Sequence, residues 1–110
     1  MSIQHRELAA GRWKQMPFIE QMANIGSEVE RALNWRAKHN DAYSKQAFER
    51  ALELTDLTLE SVSGFPRLKE LARLREALVD SFCGSNEFKS SDDLWRKYFL
   101  NFTYAARRGR

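Results

Sequence analysis

Apolar residues recur along most of this chain at the three- and four-residue spacing of a helix face, and no stretch shows the strict alternation of a half-buried strand. From residue 17 onward, Phe18, Met22, Ile25, Val29 and Leu33 define one stripe, widened by Ile19 and Gly26. Pro17 suits a first helical position, because its φ is fixed and it has no N–H to leave unpaired; the first helix is predicted to start there. The segment Ala37-Lys38-His39-Asn40-Asp41 ends it, and Asn40 or Asp41 is placed to cap the next helix. That second helix runs from about Ala42 to Ser61, with Ala47, Phe48, Ala51, Leu52, Thr55 and Leu59 on its apolar side. Ser63-Gly64-Phe65-Pro66 reads as a turn and a fresh start, again with proline in the first turn. The third helix carries Leu68, Leu71, Ala72, Arg75, Leu78, Val79 and Phe82, and Gly84 is its natural stop. In Ser90-Ser91-Asp92-Asp93 a hydroxyl cap and two carboxylates complement the positive end of a fourth helix. Leu94, Trp95, Tyr98, Phe99, Phe102, Ala105 and Ala106 share one side of it, and Arg107 and Arg108 close it.

Four such helices, each roughly 30 Å long and joined by short loops, predict an all-α fold: an up-down antiparallel bundle over residues 17–110. Residues 1–16 form an N-terminal arm in this reading. Gly11 interrupts the apolar sequence Ile3, Leu8, Trp13, and Pro17 pushes Met16 toward extended geometry, so the arm is expected to fold back on the bundle through Trp13. Val29, Leu52, Leu78 and Phe102 are the positions expected to be almost fully buried. Gly26 inside a helix costs about 1 kcal/mol relative to alanine, and the expected compensation is close approach of a neighbouring helix backbone.

The 110 residues suffice for one domain, and a 43% hydrophobic content is enough to furnish its core. Net charge is +3, but the surplus is terminal. Arg6, Arg12 and Lys14 oppose only Glu7 at the start, and Arg107, Arg108 and Arg110 are unopposed at the end. The body carries twelve basic against fourteen acidic residues, so no basic stripe runs along it as a nucleic-acid-binding face requires. A single cysteine, Cys83, suits a reducing compartment. With no apolar run of signal-peptide or membrane-span length, the expected setting is the cytoplasm, without membrane contact.

Candidate chemistry centres on the second helix. Glu49, Glu53, Asp56 and Glu60 follow one another at spacings of four, three and four and therefore share a face, and carboxylates so placed can hold Mg²⁺ or Mn²⁺. Together with Glu28 and Glu30 on the first helix, Glu53-Leu54-Thr55-Asp56 resembles the helical nucleotide pyrophosphohydrolases of the MazG and dimeric dUTPase type. Their magnesium site uses an E-x-x-E pair on one helix and an E-x-x-D pair on a later one. The second pair is present as Glu53 and Asp56. The first is not, because Arg31 follows Glu28 at that distance and Leu33 follows Glu30. The resemblance implies a magnesium site at Glu28, Glu53 and Asp56, whereas the residues alone read more simply as a solvated face balanced by Lys45, Arg50 and neighbouring helices.

Ala47-Phe48-Glu49-Arg50-Ala51-Leu52-Glu53-Leu54 looks like the second helix of a tetratricopeptide repeat, but no further copy follows at the period of about 34 residues that such arrays need. The histidines are His5 and His39, and His39 is read as favourably placed at the negative end of the first helix. Asn34 stands where the Arg-x-x-x-x-His motif of the HEPN ribonucleases would need its arginine. Cys83 is expected to be buried beside Phe82, a structural thiol rather than a nucleophile. Arg73, Arg75, Arg96 and Lys97, with Arg107, Arg108 and Arg110, offer cations for nucleic acid, with Trp95, Tyr98 and Tyr104 as stacking rings.

The segments Ala23-Asn24-Ile25-Gly26-Ser27-Glu28-Val29-Glu30-Arg31-Ala32 and Arg96-Lys97-Tyr98-Phe99-Leu100 resemble a small prokaryotic helical-bundle family with no assigned activity. The expected function is that of a non-enzymatic interaction or accessory protein, a homo-oligomer or the partner of another protein, with Trp35, Phe88 and Tyr104 as surplus aromatic surface and no cofactor. A magnesium-dependent nucleotide pyrophosphohydrolase is the alternative, and nucleic-acid binding through the basic termini is third.

Overall fold

A computed structural model of the chain describes residues 11–108, and every regular element among them is helical. Residues 11–15 form a short helical lead-in. Four long helices follow: α1 (Phe18–Ala37), α2 (Asp41–Ser61), α3 (Phe65–Cys83) and α4 (Asp92–Arg108). Pro17 stands one residue outside α1, at its N-cap with an extended ψ of 148°, rather than at the first helical position. The other boundaries lie within a residue or two of the predicted ones.

The ends of these helices are built by recognisable local chemistry. Asn40 caps α2 by accepting from the Tyr43 N–H at 3.0 Å, and the Ser91 hydroxyl accepts from the Leu94 N–H at 3.1 Å at the start of α4. At the end of α1, the His39 N–H bonds the Arg36 carbonyl and the Asn40 N–H bonds the Trp35 carbonyl. With His39 at φ 61°, this is a Schellman closure in which histidine occupies a position usually given to glycine. The longer α3–α4 connection is clamped by Asp80, whose carboxylate accepts from the Glu87 and Phe88 N–H groups at 2.8 and 3.0 Å.

Pairs of contacts at opposite ends fix the helix directions. Gln21 near the start of α1 bonds Ser61 at the end of α2, while Trp35 near the end of α1 meets Tyr43 at the start of α2. Arg36 bonds Asp92 and Phe18 packs on Phe102, so α4 also runs antiparallel to α1. Phe48 stacks on Phe82 and Asp56 pairs with Arg75, which sets α3 antiparallel to α2. The result is an up-down bundle in which α1 is central, packed extensively on α2 and α4, while α3 leans on α2.

Met22, Ile25, Val29, Ala32 and Leu33 of α1 form the middle of the core with Phe48, Ala51, Leu71, Leu78, Trp95 and Phe99. Val29 and Leu78 are fully buried as expected, whereas Leu52 and Phe102 only pack on the margin. On α3 the buried stripe is Leu71, Leu74 and Leu78 rather than the wider set that includes Leu68 and Ala72, because one flank of α3 has no neighbour. The segment 11–16 does fold back: Trp13 is buried and its indole N–H donates to the Thr58 hydroxyl at 2.8 Å. Residues 1–10 of the predicted arm, with His5, lie outside the described residues.

Gly26 faces α4. A Cβ built there would stand 2.8 Å from Cβ, Cγ and Cδ1 of Phe99, so the close approach is to the root of an aromatic side chain and not to a helix backbone. Overpacking by Gly26→Ala is expected to cost about 1–3 kcal/mol, offset by roughly 1 kcal/mol gained in helix propensity, leaving a net loss of about 0–2 kcal/mol. In a Phe99→Ala background the same substitution should become stabilising, a reversal that denaturant titration of the four-member cycle would detect. Leu78→Ala should cost about 2–5 kcal/mol, and Leu52→Ala clearly less because part of its side chain already meets water. Equal losses at the two leucines would contradict this core.

Candidate functional site

Two carboxylates of the α2 row, Asp56 and Glu49, are engaged in ion pairs. The Asp56 carboxylate accepts from Arg75 Nε of α3 at 2.8 Å, and this bond, reinforced by the charge, raises the already high Arg75 pKa further. Glu28 is held by Arg31 one turn along α1, and Glu49 lies 3.9 Å from Lys45. Glu28, Glu53 and Asp56 are not brought together, and no cluster of three His, Cys, Asp or Glu side chains suited to a metal occurs among the described residues.

The cations proposed for nucleic acid are likewise divided. Arg75 is committed to Asp56, and Arg96 Nε donates to both oxygens of Glu30 at 3.1 and 2.9 Å while Nη2 reaches Asn34. Trp95 is buried, with its indole N–H on the Ser81 hydroxyl at 3.2 Å, so its faces are closed to a base. Arg107 and Arg108 are exposed at the end of α4, where Arg108 lies over the Tyr104 ring, and Arg110 is outside the described residues. Cys83 is exposed, not buried beside Phe82, because the last turn of α3 extends past the core. His39 serves as the backbone turn that ends α1. Of the surplus aromatics, Trp35 is engaged by Tyr43 and Lys38, while Phe88 and Tyr104 are open.

What the structure does assemble is a groove of about 900 Å³ between α3 and α4. Leu74, Ala77 and Trp95 form its floor, Pro66 and Ser90 lie toward its ends, and Leu94 is 57% exposed on its α4 side. Tyr98 of α4 reaches across to Glu70 of α3, its hydroxyl donating to Oε2 at 3.3 Å. Burial, and then the neighbouring Glu70 charge, push the Tyr98 phenol well above its ordinary pKa, so it remains a neutral donor under all physiological conditions. Lys69 and Arg73 on α3 and Lys97 on α4 complete the lining.

The groove exists because α4 is committed to α1. Trp95 and Phe99 point into the core, Arg96 turns toward Glu30, and the opposite flank with Leu94, Tyr98 and Asn101 is left facing α3. The α3 helix is held on its other side, by Arg75–Asp56 and Phe82–Phe48. Sequence reasoning assigned Leu94 and Tyr98 to a core face. The only available signal for a groove was a surplus, since α4 carries more apolar residues than a single contact stripe can use. Comparison with family models, with curated proteins and with solved structures finds no match.

Two measurements test the reading of the acidic row. Asp56→Asn breaks a partly exposed pair and is expected to cost about 0.2–1 kcal/mol, a loss where relief of carboxylate repulsion at a vacant metal site would give a gain. Millimolar Mn²⁺ should shift the melting temperature no more than sodium chloride of equal ionic strength. A specific rise that vanishes in the Asp56→Asn variant would restore the metal site.

Proposed function

We propose that this chain is a non-enzymatic helical interaction or accessory protein whose contact surface is the α3–α4 groove. The observation that carries this reading is the groove itself: a lining about three helical turns long on α3, open at the surface, over an apolar floor of Leu74, Ala77 and Trp95. Leu94, exposed on the α4 wall, adds to that apolar surface. Grooves between helices are the usual seat of amphipathic helical segments, which insert side chains at i, i+3, i+4 and i+7. The partner is a second polypeptide, either another copy of the chain or a different protein, and the reading requires no cofactor. No helix among the described residues is long and apolar enough to cross a membrane, and the single cysteine suits work in the cytoplasm.

The pyrophosphohydrolase alternative gains no support from the positions of Glu28, Glu53 and Asp56, two of which are paired with arginines. The nucleic-acid alternative loses Arg75 and Arg96 to ion pairs and Trp95 to the core, and keeps Arg73, Lys97 and the terminal arginines.

A photoreactive residue placed at position 94 should give covalent adducts in cells that produce the protein naturally, and one at the exposed position 45 on α2 should not. Adducts between identical chains, with sedimentation showing a dimer at micromolar concentration, would identify a homo-oligomer. Adducts with another protein and a monomeric isolated chain would identify an accessory subunit. Absence of adducts from position 94, or equal yields from both positions, would remove the groove as the contact surface.

A further inference from the structure

The chemistry of the groove lining specifies its occupant more narrowly. Resting on the interaction reading above, we infer that the α3–α4 groove receives an amphipathic helix of a different protein, flanked by acidic residues. Its ionisable lining consists of Lys69, Arg73, Lys97 and a single carboxylate, Glu70, which is engaged by Tyr98. Among the described residues, none of the three cations has an ion-pair or hydrogen-bond partner. Arg31, Arg36, Lys45, Arg75 and Arg96 each pair with a carboxylate elsewhere on the bundle. Three unpaired cations thus flank one apolar floor, with Lys69 and Arg73 on one wall and Lys97 on the other.

Lys69 and Arg73 stand four residues apart on α3, a like-charge spacing that works against the helix carrying them. Carboxylates flanking an inserted apolar stripe would answer both walls at once and relieve that repulsion. The same charges argue against self-pairing across this face. A twofold pair of grooves would set three cations of one chain against the same three of its mate, which is the arrangement that discriminates between partners. Along α3 the lining extends from Pro66 to Ala77, about 17 Å at 1.5 Å per residue, which matches an insert of roughly three turns.

The test uses the full chain and a displayed library of amphipathic helices of about four turns, with leucine fixed at i, i+3, i+4 and i+7 and flanking positions drawn from Glu, Gln and Lys. Glu-flanked helices should be enriched on the natural chain. The best of them, made as a free peptide, should bind about tenfold or more weakly to the Lys69→Glu, Arg73→Glu, Lys97→Glu variant and should weaken as salt is raised. The charge-reversed chain, confirmed as helical by circular dichroism, should instead select Lys-flanked helices. Leu94→Glu, which alters a side chain already exposed, should abolish binding of every flank type. Enrichment of Gln- or Lys-flanked helices on the natural chain, sensitive to Leu94→Glu, would overturn the acidic partner while leaving the groove as an interaction surface. Failure to enrich any helix would overturn the inference, and the crosslinking from position 94 would then decide whether the groove contacts protein at all.

Discussion

At Gly26 the missing side chain lets the Phe99 ring rest on the backbone of α1, and the position of α4 follows from that contact. Once Phe99 is seated there, Trp95 one turn earlier must enter the core, Arg96 must reach Glu30, and Phe102 must pack beside Phe18. Helix α1 is thereby buried on two sides, against α2 and α4, and its small and medium-sized stripe of Ile25, Val29, Ala32 and Leu33 fits that role. A helix so enclosed cannot tolerate added volume on either face, because protein interiors are packed at crystal-like density.

Polar residues tie the ends of this frame. Arg36 alone joins three helices: it pairs with Asp92 at 3.0 Å, bonds the Ser81 carbonyl at 3.3 Å and stacks over the Phe82 ring. At the opposite end Gln21 donates to the Trp13 carbonyl and to Ser61, while Trp13 donates to Thr58. Thr55 and Thr58 are buried yet satisfied, each returning a hydroxyl bond to a carbonyl one turn back. Such bonds contribute modestly to stability, but an unmet partner would cost more than the bond returns, so they hold the register of the helices.

The commitment of α4 to α1, and of α3 to α2, leaves the fourth seam of the bundle incompletely closed. There the chain has apolar floor, a neutral phenol held by a carboxylate, and cations without partners. A groove lined by three cations against a single carboxylate is what gives the interaction reading its chemical content.

Helix number, boundaries and caps were legible in the residues, because each depends on neighbours a few positions away: Asn40 and Ser91 cap as their side chains allow, and Gly84 ends α3. The central stripe of α1 was legible for the same reason, since a 3.6-residue period marks a face wherever it is buried. Which carboxylates and arginines meet was not legible. Glu53 and Asp56 have a ligand spacing and Glu28 lies on the neighbouring helix, yet Arg31 claims Glu28 and Arg75 claims Asp56, and the second of those partners lies nineteen positions away on another helix. The periodicity of α3 and α4 shows that each has an apolar side but not how much of it is covered, so Leu94, Tyr98 and Cys83 were assigned to a core they only border or lie outside. Coverage depends on the angle and distance between helices, and those are set by contacts such as Gly26 with Phe99 that join residues far apart in the chain. The residues by themselves therefore determined an all-helical up-down bundle, while tertiary packing alone decided that its α3–α4 seam would remain an open, positively charged groove.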